Sequence, residues 1–223
     1  MKCPIVVSVI VFFLLNTLTY AQYSMKMYKN QVGFIFSNHS AGSGFVMLKT
    51  NYIVTCAHVT LKECDISYSV ATLEGSTRPP FKDLKIIKID TDYDIALLES
   101  PVRISDTVTT PDFIFDVKVA DHLFYMGFDT ASSRDRTLAF KVNSAFVSKA
   151  DSMKINKKNV RYFEFEGIAL HGYSGGPVFN DKGQVIGLIK GMYKKNGKVI
   201  NRAYSIIPIL KGIPHLYAKR KAA

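Results

Sequence analysis

"HGYSGGPVFNDKGQVIGLIKG", residues 171–191, sets Ser174 among glycines and follows it with two apolar runs, "PVFN" and "QVIGLIKG", split by Asp181-Lys182-Gly183. Gly175 and Gly176 permit backbone angles that other residues avoid, and Pro177 suits the first position of a strand. A glycine-rich turn explains the same residues without any chemistry. Whether Ser174 is a nucleophile is therefore decided by what stands elsewhere in the chain.

Outward from this stretch, runs rich in β-branched and aromatic residues recur. "QVGFIF", "GFVML", "YIVTCA", "DISYSVATL", "DLKIIKI" and "DIALLE" precede it, with "DHLFYMGF", "LAFKVNSAFVS" and "VRYFEFEG" closer by and "AYSII" after it. Turn chemistry separates them, at Asn38, Gly75, Pro79-Pro80 and Asp129. So many strand signals without long helical periodicity predict antiparallel all-β packing, as a sandwich or as barrels that close their edges. The stretch from Ser100 to Val117 is poor in alternation and carries two prolines, which predicts a connection between two β lobes.

A serine hydroxyl attacks only when an imidazole takes its proton, and the imidazole works best when a carboxylate fixes its tautomer. "YIVTCAHV" places His58 just after an apolar strand, and "TDYDIALLE" places Asp94 at the head of another. Singly, each has a structural explanation as a surface histidine or a turn aspartate. Their joint occurrence with Ser174, in this order, points to nucleophilic catalysis.

Together "TCAHV", "DIALL" and "GYSGGPV" resemble the chymotrypsin-like serine peptidases, in detail the bacterial trypsin-like branch that includes HtrA/Deg proteases and glutamyl endopeptidases. "GSGFV" before the histidine strand and "GPVFNDKGQVIGL" after the serine add to the match, which runs from about Gln31 to Ile209. The resemblance implies two antiparallel six-stranded β-barrels with the active site in the cleft between them. It divides the chain into 22–108, carrying His58 and Asp94, and 109–223, carrying Ser174 and a short tail. It further implies His58 as general base, Asp94 as the orienting carboxylate and Ser174 as nucleophile, with Asp90 and Asp92 as neighbours in a turn. The N–H groups of Gly172 and Ser174 would form the oxyanion hole. No metal or organic cofactor is implied.

Specificity follows by position. Six residues before the serine, where trypsin-like enzymes hold an aspartate, stands Ile168; fifteen after it, where glutamyl endopeptidases hold a histidine, stands Ile189. With Ala169, Gly191 and Met192 also at pocket positions, the expected P1 site is apolar. His171, three residues before Ser174, is expected to be a plain polar loop residue, the alternative being a place at the pocket rim. An "IVGG"-like start is absent, and "LKGIPHLYAKRKAA" after Ile209 is shorter than the PDZ domain of HtrA proteins, so a stand-alone protease domain is the expectation.

With 48% hydrophobic and 21% charged residues among 223, the chain has ample apolar material for a core and is not of disordered composition. Lys2, the apolar run Ile5 to Leu15 and Thr19-Tyr20-Ala21 read as a signal peptide, 1–21, cleaved after Ala21. The run is shorter than the about 20 residues that span a bilayer, so no membrane span is expected after cleavage, and the mature protein is expected to be secreted or periplasmic. Cys3 leaves with the signal; Cys56 and Cys64 either close a small loop beside His58 or remain two buried thiols.

The net charge of +11 falls by one unit with Lys2 and stays strongly basic. Its lysines gather at Lys154 to Lys158, Lys194 to Lys198 and Lys219 to Lys221, read as loops and tail. No nucleic-acid motif accompanies them, so the partners expected are protein or peptide substrates, and acidic surfaces or polyanions, but not specific nucleic acid. The rival to an exported serine endopeptidase is a catalytically silent module of the same fold that holds polyanions or a protein partner on its basic surface. An esterase using the same serine ranks after both.

Overall fold

The computed structural model describes residues 28, 30–36, 40–47, 51–60, 66–70, 83–104, 116–129, 139–168 and 171–205. Strands β1 (Val32–Phe36), β2 (Ala41–Val46), β3 (Tyr52–Thr55), β4 (Ser67–Val70), β5 (Lys85–Asp90) and β6 (Ile95–Glu99) make the first half, with one 3₁₀ turn, Ala57–Val59, after β3. The second half is β7 (His122–Asp129), β8 (Ala139–Ile155), β9 (Lys158–Glu166), β10 (Pro177–Asn180), β11 (Val185–Lys195) and β12 (Lys198–Tyr204). Among the described residues each strand signal of the sequence overlaps one of these twelve, "AYSII" only at Ala203 and Tyr204, the end of a strand that begins at Lys198.

The chain is all-β, with two six-stranded antiparallel sheets. In the first the order is β4-β1-β2-β3-β6-β5; the second is a closed barrel, β10-β11-β12-β9-β8-β7, in which β10 pairs back onto β7. Pro177 opens β10, where a missing N–H disturbs the ladder least.

Two hairpins are longer than the hydrophobic alternation suggests. Asn156 and Lys157 have φ of 46° and 67°, and Asn196 and Gly197 of 50° and 76°, so both turns are left-handed at their two central positions. That twist matches the strands on either side, which continue to the tips of β8–β9 and β11–β12. The lysine groups at 154–158 and 194–198, expected in loops, accordingly stand on strand ends as well as in the turns. Charged residues are tolerated there because these strand ends stand in solvent.

One core, of Tyr28, Val32, Phe34, Phe45, Met126, Phe128, Phe179 and Leu188 among others, draws residues from both sheets and fastens the halves together. Separate clusters fill each half, around Ile35, Ile53, Tyr68 and Leu98 in the first and Tyr125, Phe163, Phe165 and Val178 in the second. The sheets therefore meet along a buried apolar seam, and the segments that leave this seam are the ones that carry the candidate residues.

The signal peptide expected over 1–21 with its site at Ala21, Cys64, Ala169, much of the connection between the sheets and the lysines at 219–221 lie outside the described residues. Among the described residues no helix is long and apolar enough to cross a membrane.

Candidate active site

His58 occupies the 3₁₀ turn that follows β3, and Asp94 sits just ahead of β6. Because β3 and β6 pair antiparallel, with Thr55 opposite Ala96, the residue after one and the residue before the other are brought side by side. Asp94 takes a left-handed conformation, φ 49°, at the end of a turn whose first carboxylate, Asp90 Oδ1, accepts the N–H groups of Asp92 and Tyr93, each at 3.1 Å. Asp92 points elsewhere, to Lys158 at 2.7 Å and to the Asn156 side-chain amide at 2.6 Å.

Asp94 grips His58 twice. Its Oδ1 accepts the His58 backbone N–H at 2.8 Å, and its Oδ2 lies 2.7 Å from His58 Nδ1. The Ala57 N–H donates to the Asp94 carbonyl at 3.1 Å, so backbone and side chain together hold the histidine turn against β6. An ionised carboxylate accepts only, which places a proton on Nδ1 and leaves Nε2 as the ring's basic atom. Asp94's side chain is 6% exposed, and its outer oxygen also meets the Lys190 ammonium. Burial is the largest influence on this carboxyl and opposes its ionisation; hydrogen bonds from His58 and then Lys190, with their charges, outweigh it and hold the group below the ordinary aspartate value.

Ser174 lies in the turn before β10, with Gly172 at φ 103° and Gly175 at φ 86°. At Gly175 the backbones of the two halves touch: a Cβ there would stand 2.2 Å from the Ser43 carbonyl and 2.4 Å from Thr55 Oγ1. Glycine is needed for space and for conformation alike. The turn is tied to β11 by Gly175 N–H to the Ile189 carbonyl, 2.7 Å, and by Ile189 N–H to the Gly176 carbonyl, 2.9 Å.

Ser43, on β2, holds the turn from the other half. Its N–H donates to the Ser174 carbonyl at 2.8 Å and its Oγ to the Gly172 carbonyl at 2.7 Å, while it accepts the Phe128 N–H at 2.9 Å. The stretch "GSGFV" contains this residue, but nothing in its pattern distinguishes a buried clasp from a small strand residue. Among the described residues no backbone carbonyl takes the Gly172 or Ser174 N–H.

A cavity of about 400 Å³ joins these parts, lined by His58, His171, Gly172, Ser174, Ile189, Lys190, Gly191 and Met192 among others. His171 thus stands at the same cavity as Ser174. Of the expected pocket residues, Ile189, Gly191 and Met192 line it. Ile168, 66% exposed, lines instead an adjoining hollow of about 640 Å³ that shares Met192. Ser174 Oγ donates to the Lys190 carbonyl at 3.1 Å, and among the described residues no hydrogen bond joins it to His58.

Cys56, His58 and Asp94 bring a sulfur, a nitrogen and an oxygen within 4.8 Å of one another. The set does not fit a metal ion. Burial above all, and then the negative charge of Asp94, push the Cys56 thiol well above its ordinary value and keep it protonated, and Lys190 already supplies a cation at Asp94. Cys56 is a free buried thiol, its Sγ 3.2 Å from the Ile189 carbonyl across the seam.

The model of the family described as "Trypsin-like peptidase domain" matches residues 42–188, which include all three candidate residues. Serine protease HTRA1B of Danio rerio is 27% identical over 149 residues, covering 67% of this chain and 30% of its own length. A probable periplasmic serine endoprotease DegP-like of Halomonas elongata is 27% identical over 169 residues, 75% of this chain and 32% of its own length. The chain thus spans about a third of the length of these relatives. The crystal structure of Deg5 superimposes with a TM-score of 0.66 at 20% identity, covering 89% of this chain and 94% of that one.

Proposed function

The chain belongs to the trypsin-like peptidase domain family, and from that premise we propose that it is an exported serine endopeptidase working through His58, Asp94 and Ser174. The observation that carries the reading is the buried Asp94 carboxylate 2.7 Å from His58 Nδ1, with His58 and Ser174 on one cavity. In this reading Ser174 Oγ turns from the Lys190 carbonyl to His58 when substrate arrives, a rotation about one side-chain bond.

Ser174 Oγ then bonds to the carbonyl carbon of the scissile peptide while His58 Nε2 takes its proton, and the carbonyl oxygen becomes an oxyanion facing the N–H groups of Gly172 and Ser174. His58 passes the proton to the leaving amine as the C–N bond breaks. Water, deprotonated by the same imidazole, releases the acyl group. The Ile189, Gly191 and Met192 lining favours an apolar P1 side chain. Export rests on the leader 1–21 and fits relatives named as periplasmic endoproteases.

The test is labelling of the purified protein with a fluorophosphonate probe, the modified residue being located by mass spectrometry. Labelling at Ser174 in the parent, lost in both Ser174→Ala and His58→Ala, is the expected result. A parent that stays unlabelled and cleaves no peptide, yet is retained on heparin in low salt, would favour the silent polyanion-binding module. Mature protein beginning at Gln22 is the expected outcome of amino-terminal sequencing after expression in an exporting host.

A further inference from the structure

β11 does not pair evenly with β12. Ile189 lies opposite Ala203 and Gly191 opposite Arg202, so Lys190 is the extra residue of a β-bulge. A bulge re-aims the side chain and the carbonyl of the residue it inserts. Here both are aimed at the candidate catalytic residues: the ammonium meets Asp94 Oδ2, and the carbonyl accepts Ser174 Oγ at 3.1 Å. The Tyr204 ring lies with its centroid 5.2 Å from the Lys190 nitrogen, a cation–π contact that supports the ammonium.

Asp94 Oδ2 therefore meets two donors, the imidazole of His58 and the Lys190 ammonium. The groups that face this carboxylate are His58 from the 3₁₀ turn, the protonated Cys56 just before it and Lys190 from β11; Tyr204 of β12 faces Lys190. A carboxylate already half-neutralised by an ammonium stabilises a developing imidazolium less than a carboxylate standing alone.

We infer that Lys190 is a positioning residue that acts through Asp94: its ammonium weakens the stabilisation that Asp94 lends to the developing imidazolium of His58, and this sets the maximal rate and the pH dependence of the reaction. The inference rests on the catalytic reading above. The Lys190 ammonium touches no reacting atom in this scheme; its effect is electrostatic and is carried by the shared Asp94 oxygen, separately from the backbone carbonyl that accepts Ser174 Oγ.

The experiment compares the parent with Lys190→Gln, which keeps a hydrogen-bond donor but removes the charge, with Lys190→Met, which removes both, and with Lys190→Arg, which keeps the charge. The rate of fluorophosphonate labelling and kcat/KM on a peptide substrate are read from pH 4 to 9, alongside Tm. In the two neutral variants the acid limb is expected to move to higher pH by about one unit and the plateau to rise severalfold, while Lys190→Arg keeps the parent's limb. A lysine that merely braces the fold would lower Tm and the plateau without moving the limb. A folded neutral variant whose acid limb stays in place, or moves to lower pH, overturns the inference while leaving the catalytic reading intact. A parent that is never labelled at Ser174 overturns both.

Discussion

Among the described residues, His58 and His122 each hold an aspartate through Nδ1 at nearly the same distance: His58 to Asp94 at 2.7 Å and His122 to Asp181 at 2.6 Å. The first aspartate is 6% exposed, accepts a second hydrogen bond from its histidine's backbone and meets Lys190. Asp181 is 52% exposed and belongs to the β10–β11 turn, while His122 packs its ring against Phe124 and Phe146. A histidine–aspartate contact is thus common chemistry. What separates the two is that Asp94 stays charged in a buried, low-dielectric setting because His58 and Lys190 hold it so, and that a serine lies on the cavity that His58 lines.

The largest effect should come from Asp94→Asn, which keeps the shape but offers the wrong hydrogen-bonding face to Nδ1; kcat on a peptide substrate is expected to fall by about 10⁴ with little change in KM. A fall of less than tenfold would erase the distinction between the two pairs. Gly175→Ala comes next. Its Cβ would be driven into the Ser43 carbonyl at a positive φ, so the turn must shift, and we expect loss of Ser174 labelling together with a loss of stability of about 2 kcal/mol or more, read by denaturant unfolding.

The pH dependence of folding sharpens the comparison from another side. Asp94's carboxyl is held below its ordinary value of 3.8 in the folded protein, so the stability it contributes is complete above that value and is lost as pH falls through the lower, folded one. Asp94→Asn should therefore flatten the acid limb of a stability curve measured below pH 4. The smallest effect is expected from Asp181→Asn: a largely exposed pair is worth at most about 1 kcal/mol, and kcat/KM should stay within twofold of the parent. A tenfold change there would mean that the second pair communicates with the cavity.

Several parts of this picture are legible in the residues. β1, β6 and β7 announce themselves because a strand half-buried in a sheet must alternate or run apolar, and glycines, prolines and Asx residues mark where it stops. His58, Asp94 and Ser174 are legible because each is a reactive residue type lodged beside such a strand. Asp94 rather than Asp92 is the partner because it directly precedes "IALL", and Asp92 is spent on Lys158 and Asn156. The full length of β8 is not legible: beyond Val147 its outer residues face solvent, and solvent imposes no hydrophobic alternation.

Ser43, Lys190 and Ile168 mark the limit more sharply. Ser43 matters because β2 happens to pass beneath the Ser174 turn, a contact between residues 131 positions apart that no local pattern encodes. Ile168 occupies the position where a trypsin-like pocket residue would stand, yet its side chain faces the neighbouring hollow, because side-chain direction is set by the backbone path and not by count along the chain.

By itself, then, the sequence determined the all-β class, the strand sequence and the residue types available for chemistry, because those follow from local propensity, burial period and side-chain identity. Tertiary structure alone decided that Asp94 is buried beside His58, that Ser174's turn is clasped by Ser43, and that a one-residue bulge in β11 carries the Lys190 ammonium to Asp94 and its carbonyl to Ser174. The physical reason is that hydrogen-bond register and the packing of two sheets against each other fix distances between residues far apart in the chain, and a shift of one residue in register redirects every side chain that follows.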